Sequence, residues 1–287
     1  MKNIKYLIQF IFFIFLFGMY KLLGLKLSLI TSGFIFSILG PIFRSNKVSK
    51  LNLSYAFKNN NESQNKKILK IMWKNYGKIF AEYMFIKEFR NNSSFSDKIS
   101  LENNEILDKI KKEKEPVIFV SGHFNNFEFM AMEIEKFGID LCALYRPLNN
   151  IFLNPMMEKI RKKYICKNQI KKGISGTKNL LKSFRNKTSI ALMIDQRVTQ
   201  GIGCNFFGRK ASTTTIPAQF VKKFNAKIVP VYIERLKNNE FKIKFYKPII
   251  FEKNENTESI TLKLNQVLEK MIINNPEQWI WTHNRWK

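Results

Sequence analysis

Short runs of β-branched and aromatic residues alternate with amphipathic stretches from Val117 to the C-terminus, and this alternation constrains the fold more than any other feature. Runs such as VIFVS at 117–121 and SIALMI at 189–194 are typical of buried strands, whereas the stretches between them have a helical period. Strands that alternate with helices form an α/β sheet with helices on its faces. The sequence therefore predicts a mixed, mostly parallel sheet flanked by helices.

The same patterns place the individual elements. Strands are predicted at 117–121, 140–145, 189–194, 227–234 and 241–246. Helices are predicted at 66–88, 127–137, 156–164, 176–184, 217–224 and 258–273. Ligands of such sheets bind beyond the carboxyl ends of the strands, so polar residues that follow a strand are the candidates for a functional site.

The N-terminus carries two uncharged apolar runs, at 6–20 and 27–43. The first run covers roughly 22 Å as a helix, which is short of a full hydrocarbon core, so it either spans a membrane or lies in its interface. A cleaved signal peptide is the alternative, but no Ala-x-Ala site precedes Ala56, the first alanine. We therefore expect residues 1–44 to form a retained membrane anchor with an interfacial segment, and 45–287 to form one domain.

The formal net charge of +27 predicts attraction to phosphates, acidic carrier proteins or an anionic membrane surface. An AT-rich genome, which favours lysine codons, is an equally simple explanation for much of this charge. The basic cluster after the first apolar run favours a cytoplasmic body; its members are Lys21, Lys26, Arg44, Lys47 and Lys50. Three widely spaced cysteines and two histidines predict neither a disulfide framework nor a metal site.

The strongest candidate for chemistry is the pair His123 and Glu128, which follows the predicted strand at 117–121. On a continuous helix the two would lie about 140° apart, but at a strand-to-helix turn Glu128 can point back toward His123. A carboxylate that holds one imidazole nitrogen leaves the other to take a proton from an alcohol. The pair thus predicts a general base for acyl transfer to a hydroxyl. The alternative is a capping histidine, with Glu128 complementing the helix N-terminus.

Two further strand ends carry polar residues. Arg146 ends the strand at 140–145, where it can bind phosphate or stabilise an oxyanion. Asp195 and Gln196 leave the strand at 189–194 and begin a glycine-containing loop. The chain has no Gly-x-Ser-x-Gly elbow and no cysteine in an activating motif, which favours direct transfer without a covalent intermediate.

The block Gly-His-Phe-Asn-Asn-Phe-Glu at 122–128 resembles the Gly-His-Phe-Gly-Asn-Trp-Glu block of the late acyltransferases of lipid A biosynthesis. Asn125 replaces the usual glycine of that family, and Phe127 replaces the usual tryptophan. Further blocks follow in the order of the family: Tyr145-Arg146-Pro147, Asp195-Gln196, Phe206-Phe207-Gly208, and Pro276-Glu277-Gln278-Trp279 with Trp281, His283, Arg285 and Trp286.

The resemblance implies a glycerolipid-acyltransferase-like fold in which His123 deprotonates a hydroxyl of a lipid A precursor and Glu128 orients the imidazole. The alkoxide then attacks a thioester on acyl carrier protein, which serves as co-substrate, and no cofactor is needed. The substrate-binding residues implied are Asn126, Arg146, Asp195 and Gln196. The resemblance further implies an enzyme of the bacterial inner membrane whose catalytic domain, 45–287, faces the cytoplasm.

Two alternatives remain open. One is a related membrane acyltransferase that acts on another glycolipid or phospholipid, or that uses acyl-CoA. The other is a non-catalytic, membrane-tethered protein that binds anionic lipid or nucleic acid. The basic residues are spread along the chain and no nucleic-acid motif occurs, so we expect no nucleic-acid partner.

Overall fold

The structure is a computed structural model that describes residues 2–43 and 46–287. The helices are α1 (Lys2–Phe43), α2 (Asn46–Ala56), α3 (Glu62–Glu82), α4 (Ile86–Asn91), α5 (Ser93–Ser96), α6 (Glu105–Glu113), α7 (Glu128–Lys136), α8 (Leu153–Tyr164), α9 (Ile174–Arg185), α10 (Ile216–Phe224) and α11 (Thr257–Asn274). Two 3₁₀ turns lie at Tyr83–Phe85 and Pro276–Gln278. The strands are β1 (Ile99–Glu102), β2 (Ile118–Ser121), β3 (Leu141–Tyr145), β4 (Asn168–Lys171), β5 (Ser189–Met193), β6 (Ile202–Phe206), β7 (Arg209–Thr213), β8 (Ile228–Arg235) and β9 (Phe241–Phe245).

The main sheet has seven strands in the order β1-β9-β8-β2-β5-β3-β4. The five strands from β8 to β4 are mutually parallel, and β9 pairs antiparallel with β8. The predicted mixed, mostly parallel α/β fold is therefore confirmed. The central strand β2 is buried along its whole length, as expected for a parallel strand covered on both faces.

The strands that sequence patterns did not predict lie at the edges of the sheet or outside it. The edge strands β1 and β4 carry partly exposed polar residues, so neither has the continuous apolar run of a central strand. The predicted loop after Asp195 contains instead the β6–β7 hairpin. Its two turn residues, Phe207 and Gly208, both have positive φ, as a two-residue hairpin turn requires.

The two apolar N-terminal runs form the single helix α1, which is kinked at Gly24, where φ is 71°. Both halves pack on α3, because Phe17 and Phe36 each contact the ring of Phe80. The opposite side of α1 is apolar and exposed, and the helix is long and apolar enough to cross a membrane. The predicted boundary between 44 and 45 lies at Arg44 and Ser45, outside the described residues.

Glycines allow α1 and α3 to approach closely. Ser32 Oγ donates to the carbonyl oxygen of Gly77 at 2.6 Å, so the two backbones nearly touch. A Cβ on Gly77 would lie 2.4 Å from the backbone oxygen of Ser32. Because backbone atoms cannot move aside as a flexible side chain does, this position admits glycine alone at the observed helix separation.

We expect Gly77→Leu to separate α1 from α3 and to destabilise the protein by about 1–3 kcal/mol, the usual cost of overpacking. Gly18→Leu is the matched control, since no atom lies within 4 Å of a Cβ placed there. Thermal unfolding of the detergent-solubilised proteins, followed by tryptophan fluorescence, measures the difference. Equal Tm values for the two variants would contradict this close approach.

Candidate functional site

The pairing of β2 with β5 brings two of the predicted site residues together, the predicted base His123 and the predicted substrate-binding residue Asp195. Ser121 lies opposite Met193 in this parallel pair, so the residues two positions further on, His123 and Asp195, leave adjacent strand ends side by side. His123 Nδ1 lies 2.7 Å from Asp195 Oδ1. A histidine and a carboxylate are thus joined at the carboxyl edge of the sheet, where α/β folds bind ligands.

Asp195 is held as a carboxylate by three N–H groups. Besides the imidazole, the backbone N–H of His123 and the indole N–H of Trp279 each donate to Oδ2 at 2.7 Å. Burial by itself raises the pKa of Asp195, which is only 2% exposed, but the charge of His123 and these hydrogen bonds outweigh it and lower the pKa to about 2. An ionised carboxylate only accepts hydrogen bonds, so Nδ1 carries the proton, and in the neutral form of the ring the lone pair is on Nε2.

The free imidazole nitrogen faces Gln196. The side-chain nitrogen of Gln196 lies 3.3 Å from His123 Nε2, close to the atom that would accept a proton. The imidazole is partly exposed, with 18% of its side chain accessible, and Phe127 packs edge-on against it. His123 therefore has the geometry of a general base that is oriented on one side and open on the other.

Glu128 does not orient the imidazole, contrary to the prediction from the sequence. It begins α7, where its carboxylate accepts hydrogen bonds from the Tyr83 hydroxyl and from Arg161 Nε, the latter at 2.9 Å. The charge of Glu128 raises the pKa of Arg161, and burial followed by the same charge raises that of Tyr83. The spacing of His123 and Glu128 predicted a shared turn correctly, but the first turn of α7 directs the carboxylate toward α8. The role at Nδ1 belongs to Asp195.

Four of the predicted site residues line one cleft of about 450 Å³; they are His123, Glu128, Arg146 and Gln196. The charged groups along this cleft are mainly cations. Besides Arg146 and Arg161, they include Lys172 and Arg197, and burial together with the charge of Arg146 lowers the pKa of Lys172. Apolar side chains complete the walls, among them Leu144, Leu148, Leu192 and Ile216. The cleft suits an amphipathic ligand with an anionic group.

Asn126 is placed away from the cleft, so the prediction that it binds substrate is corrected. Its side chain is fully buried and donates to Glu82 Oε2 at 3.0 Å. Glu82 in turn pairs with the buried guanidinium of Arg235. Asn126 fixes the loop between β2 and α7 from beneath. This function is evident from its burial in the structure and could not be predicted from a local sequence pattern.

The C-terminal segment completes the site. Residues Gln278 and Trp279 lie against the loop that carries His123, and Phe124 forms a β-bridge with Trp279. The backbone N–H of Asn125 donates to the Gln278 carbonyl at 3.0 Å. Asn125 has a φ of 41°, the left-handed region that glycine and asparagine tolerate, which explains how it replaces the glycine usual at this position.

Trp279 is the functional residue whose role the sequence did not predict. The sequence shows it only as part of a motif, although the N–H of a buried indole needs an acceptor and so indicates a polar partner nearby. No group of three or more His, Cys, Asp or Glu side chains with the geometry to hold a metal ion occurs within 2–43 and 46–287. The three cysteines are buried and unpaired.

Comparison with known protein families gives one match that covers the whole chain. The family model described as bacterial lipid A biosynthesis acyltransferase matches residues 1–287. The matched region thus includes the His123–Asp195 pair, the cationic cleft and the N-terminal helix. No individual curated protein matches the sequence.

We expect Asp195→Asn to reduce kcat for acyl transfer by on the order of 10³–10⁴-fold, because a neutral amide no longer stabilises the imidazolium and can select the wrong tautomer. Steady-state transfer rates, with the Tm of each variant as a check on folding, measure the effect.

Glu128→Gln is the informative comparison. This change removes the charge that neutralises the buried Arg161, so we expect a lowered Tm and a smaller fall in kcat than in Asp195→Asn. If Glu128→Gln instead lowers kcat as much as Asp195→Asn at an unchanged Tm, the assignment of the two carboxylates is wrong.

Proposed function

The chain belongs to the bacterial lipid A biosynthesis acyltransferase family, and we propose that it transfers a fatty acyl chain from an acyl carrier protein thioester to a hydroxyl of a lipid A precursor. The observation that carries this proposal is the short contact between His123 Nδ1 and the buried Asp195 carboxylate at the wall of a cationic cleft. Acyltransfer in lipid A synthesis is the activity of the family. The thioester donor and the hydroxyl acceptor are the parts proposed here.

The proposed reaction begins at His123 Nε2, which accepts the proton of the acceptor hydroxyl while Asp195 holds the opposite side of the ring. The resulting alkoxide attacks the thioester carbonyl carbon and forms a tetrahedral oxyanion. Collapse of this intermediate expels the thiolate, which takes the proton back from the imidazolium. An ester bond forms as the thioester bond breaks, and the enzyme is regenerated unchanged. The thioester supplies the driving force, so no cofactor is needed.

Gln196 and Arg146 are the proposed stabilisers of charge. The side-chain amide of Gln196 lies beside Nε2, where the reacting atoms meet, and its N–H groups are suited to an oxyanion. Arg146 lies in the same cleft and makes a fork of donors available to a phosphate. Glu128 supports the reaction by fixing Arg161 at the cleft wall.

Charge and the apolar N-terminus support the choice of partners. A net charge of +27 attracts both an acidic carrier protein and a phosphorylated glycolipid. The exposed apolar side of α1 suits a membrane, where the acceptor resides. We therefore place the enzyme at the bacterial inner membrane with the catalytic domain on the cytoplasmic side, the compartment in which its cysteines stay reduced.

The direct test uses purified protein, labelled acyl carrier protein thioesters of several chain lengths, and a tetra-acylated lipid A precursor. We expect transfer by the wild-type protein and its loss in His123→Ala, because this change removes the proposed base. Parallel reactions with acyl-CoA and with phospholipid acceptors test the related acyltransferases. Absence of transfer to any glycolipid would overturn the proposed function, and full activity of His123→Ala would overturn the site.

A second prediction concerns the anionic group of the acceptor. If Arg146 binds a phosphate of the glycolipid, Arg146→Gln should raise KM roughly tenfold for the phosphorylated acceptor, since a charge-assisted hydrogen bond is lost. The same change should have little effect on KM for a dephosphorylated acceptor. Arg185→Gln, which alters an exposed arginine at the end of α9, is the matched control. Equal effects on both acceptors would show that Arg146 does not recognise the phosphate.

A further inference from the structure

The loop between β3 and α8 connects the catalytic cleft to the N-terminal helix. Its first residues, Arg146 to Asn149, line the cleft together with His123. Its last residues reach α1: Asn150 Nδ2 donates to the backbone oxygen of Tyr6 at 2.9 Å, and the ring of Phe152 lies 6.2 Å from that of Phe10. The loop therefore lies beside the first turns of α1 and at the edge of the active site simultaneously.

This loop has a defined shape. Asn150 is buried, and its Oδ1 accepts from the backbone N–H groups of Phe152 and Leu153 at 3.0 and 3.1 Å, at the start of α8. The backbone N–H of Leu148 donates to Asn154 Oδ1 at 2.8 Å. Ile151 is thereby held between two residues that contact α1, yet its own side chain is 54% exposed.

The loop and α1 each expose apolar side chains; on α1 they lie on the side turned away from the domain. That side includes Ile4, Ile8, Ile11 and Phe15. Leu148, Ile151 and Phe152 are exposed apolar residues of the loop, and Leu148 also lines the cleft. We call these seven residues the lipid face. The loop thus places exposed apolar side chains between α1 and the wall of the cleft that contains His123.

Exposed cations lie on the elements that carry or adjoin the lipid face. Lys2 and Lys5 are exposed at the start of α1, Lys159 is exposed on α8, and Arg146 is exposed at the cleft. An apolar surface bordered by lysine and arginine is the signature of a segment that lies in the interface of an anionic membrane. Both halves of α1 contact the rest of the protein: Tyr6 accepts from Asn150, and the ring of Phe36 packs against that of Tyr76. Helix α1 therefore lies along the body of the protein.

We propose that loop residues Leu148, Ile151 and Phe152 insert into the same membrane leaflet as α1, so that an acyl-chain substrate enters the cleft directly from the bilayer past Leu148. This inference rests on the proposed function for the identity of the substrate, but not for the insertion itself. The cleft opens at the membrane surface, and the acceptor hydroxyl reaches His123 while its chains stay in contact with apolar groups.

Insertion is measured with an environment-sensitive fluorophore on single introduced cysteines in the full chain. Native thiols interfere little, because burial raises the pKa of Cys142 to about 11 and that of Cys166 to about 12, and Cys204 is buried as well. On addition of phosphatidylethanolamine–phosphatidylglycerol vesicles, we expect a blue shift for the probe on Ile151→Cys and quenching by nitroxide-labelled lipid.

Ile8→Cys on α1 and Ile250→Cys serve as controls. Ile250 is 66% exposed, and its neighbour Ile249 bridges to Ile228 at the start of β8, on the edge of the sheet opposite the site. We expect the Ile8 probe to respond and the Ile250 probe not to respond. A response at Ile8 without one at Ile151 would overturn insertion of the loop while leaving α1 as the anchor. If neither the Ile8 probe nor the Ile151 probe responds, contact of the lipid face with the membrane is disproved.

Activity measurements distinguish substrate entry from the bilayer from the chemical step. Ile151→Ser should lower kcat/KM roughly tenfold for acceptor embedded in vesicles, since an apolar contact with the bilayer is lost, and leave it unchanged for acceptor in detergent micelles. Ile250→Ser should change neither. Equal losses in vesicles and micelles would overturn the route, whereas failure of the wild-type protein in both would be a failure of the proposed function and would not affect the fluorescence result.

Discussion

The buried carboxylate of Asp195 is the group on which the site depends. An isolated carboxylate in a protein interior costs several kcal/mol, so it must be matched by donors. The donors come from two distant parts of the chain, the loop after β2 and the C-terminal segment, through His123 and Trp279. Three features therefore depend on one another: the ionised state of Asp195, the tautomer of His123 and the position of Trp279.

This dependence explains why the C-terminal segment lies where it does. Gln278 exchanges hydrogen bonds with the backbone of Arg235 and also accepts from Asn125, so it joins the end of β8 to the loop that carries His123. Arg235 meanwhile pairs with Glu82, which accepts from Asn126. Most polar groups buried beneath the loop are thus paired with one another, although Asn125 Oδ1, Asn126 Oδ1 and Arg235 Nε have no hydrogen-bond partner among the described residues. The left-handed Asn125 is the residue that allows the loop to meet all of these partners.

Hydrophobic pattern predicted the central strands and the order of the helices because strand burial on both faces leaves an apolar run in the sequence. The edge strands β1 and β4 leave no such run, and the β6–β7 hairpin was hidden by its short, mixed strands. At the site, His123, Arg146 and Gln196 were predicted to share the edge of the sheet, and they do line one cleft. The partner of His123 was not predictable from spacing, since β2 and β5 become neighbours only through the register of the sheet.

The two acidic residues near His123 occupy different environments and do different things. Asp195 accepts only N–H groups and faces the imidazole, whereas Glu128 is neutralised by Arg161 of α8 and bonded to Tyr83 beside α3. One and two turns before Arg161 on the same side of α8, Met157 and Leu153 pack against Phe17 of α1. One buried ion pair therefore links the helix that follows the catalytic loop to the helix that contacts the apolar N-terminus. In the proposed mechanism, the first residue of the His-x4-Glu motif is the base, and the last residue connects the site to the apolar N-terminal helix through Arg161.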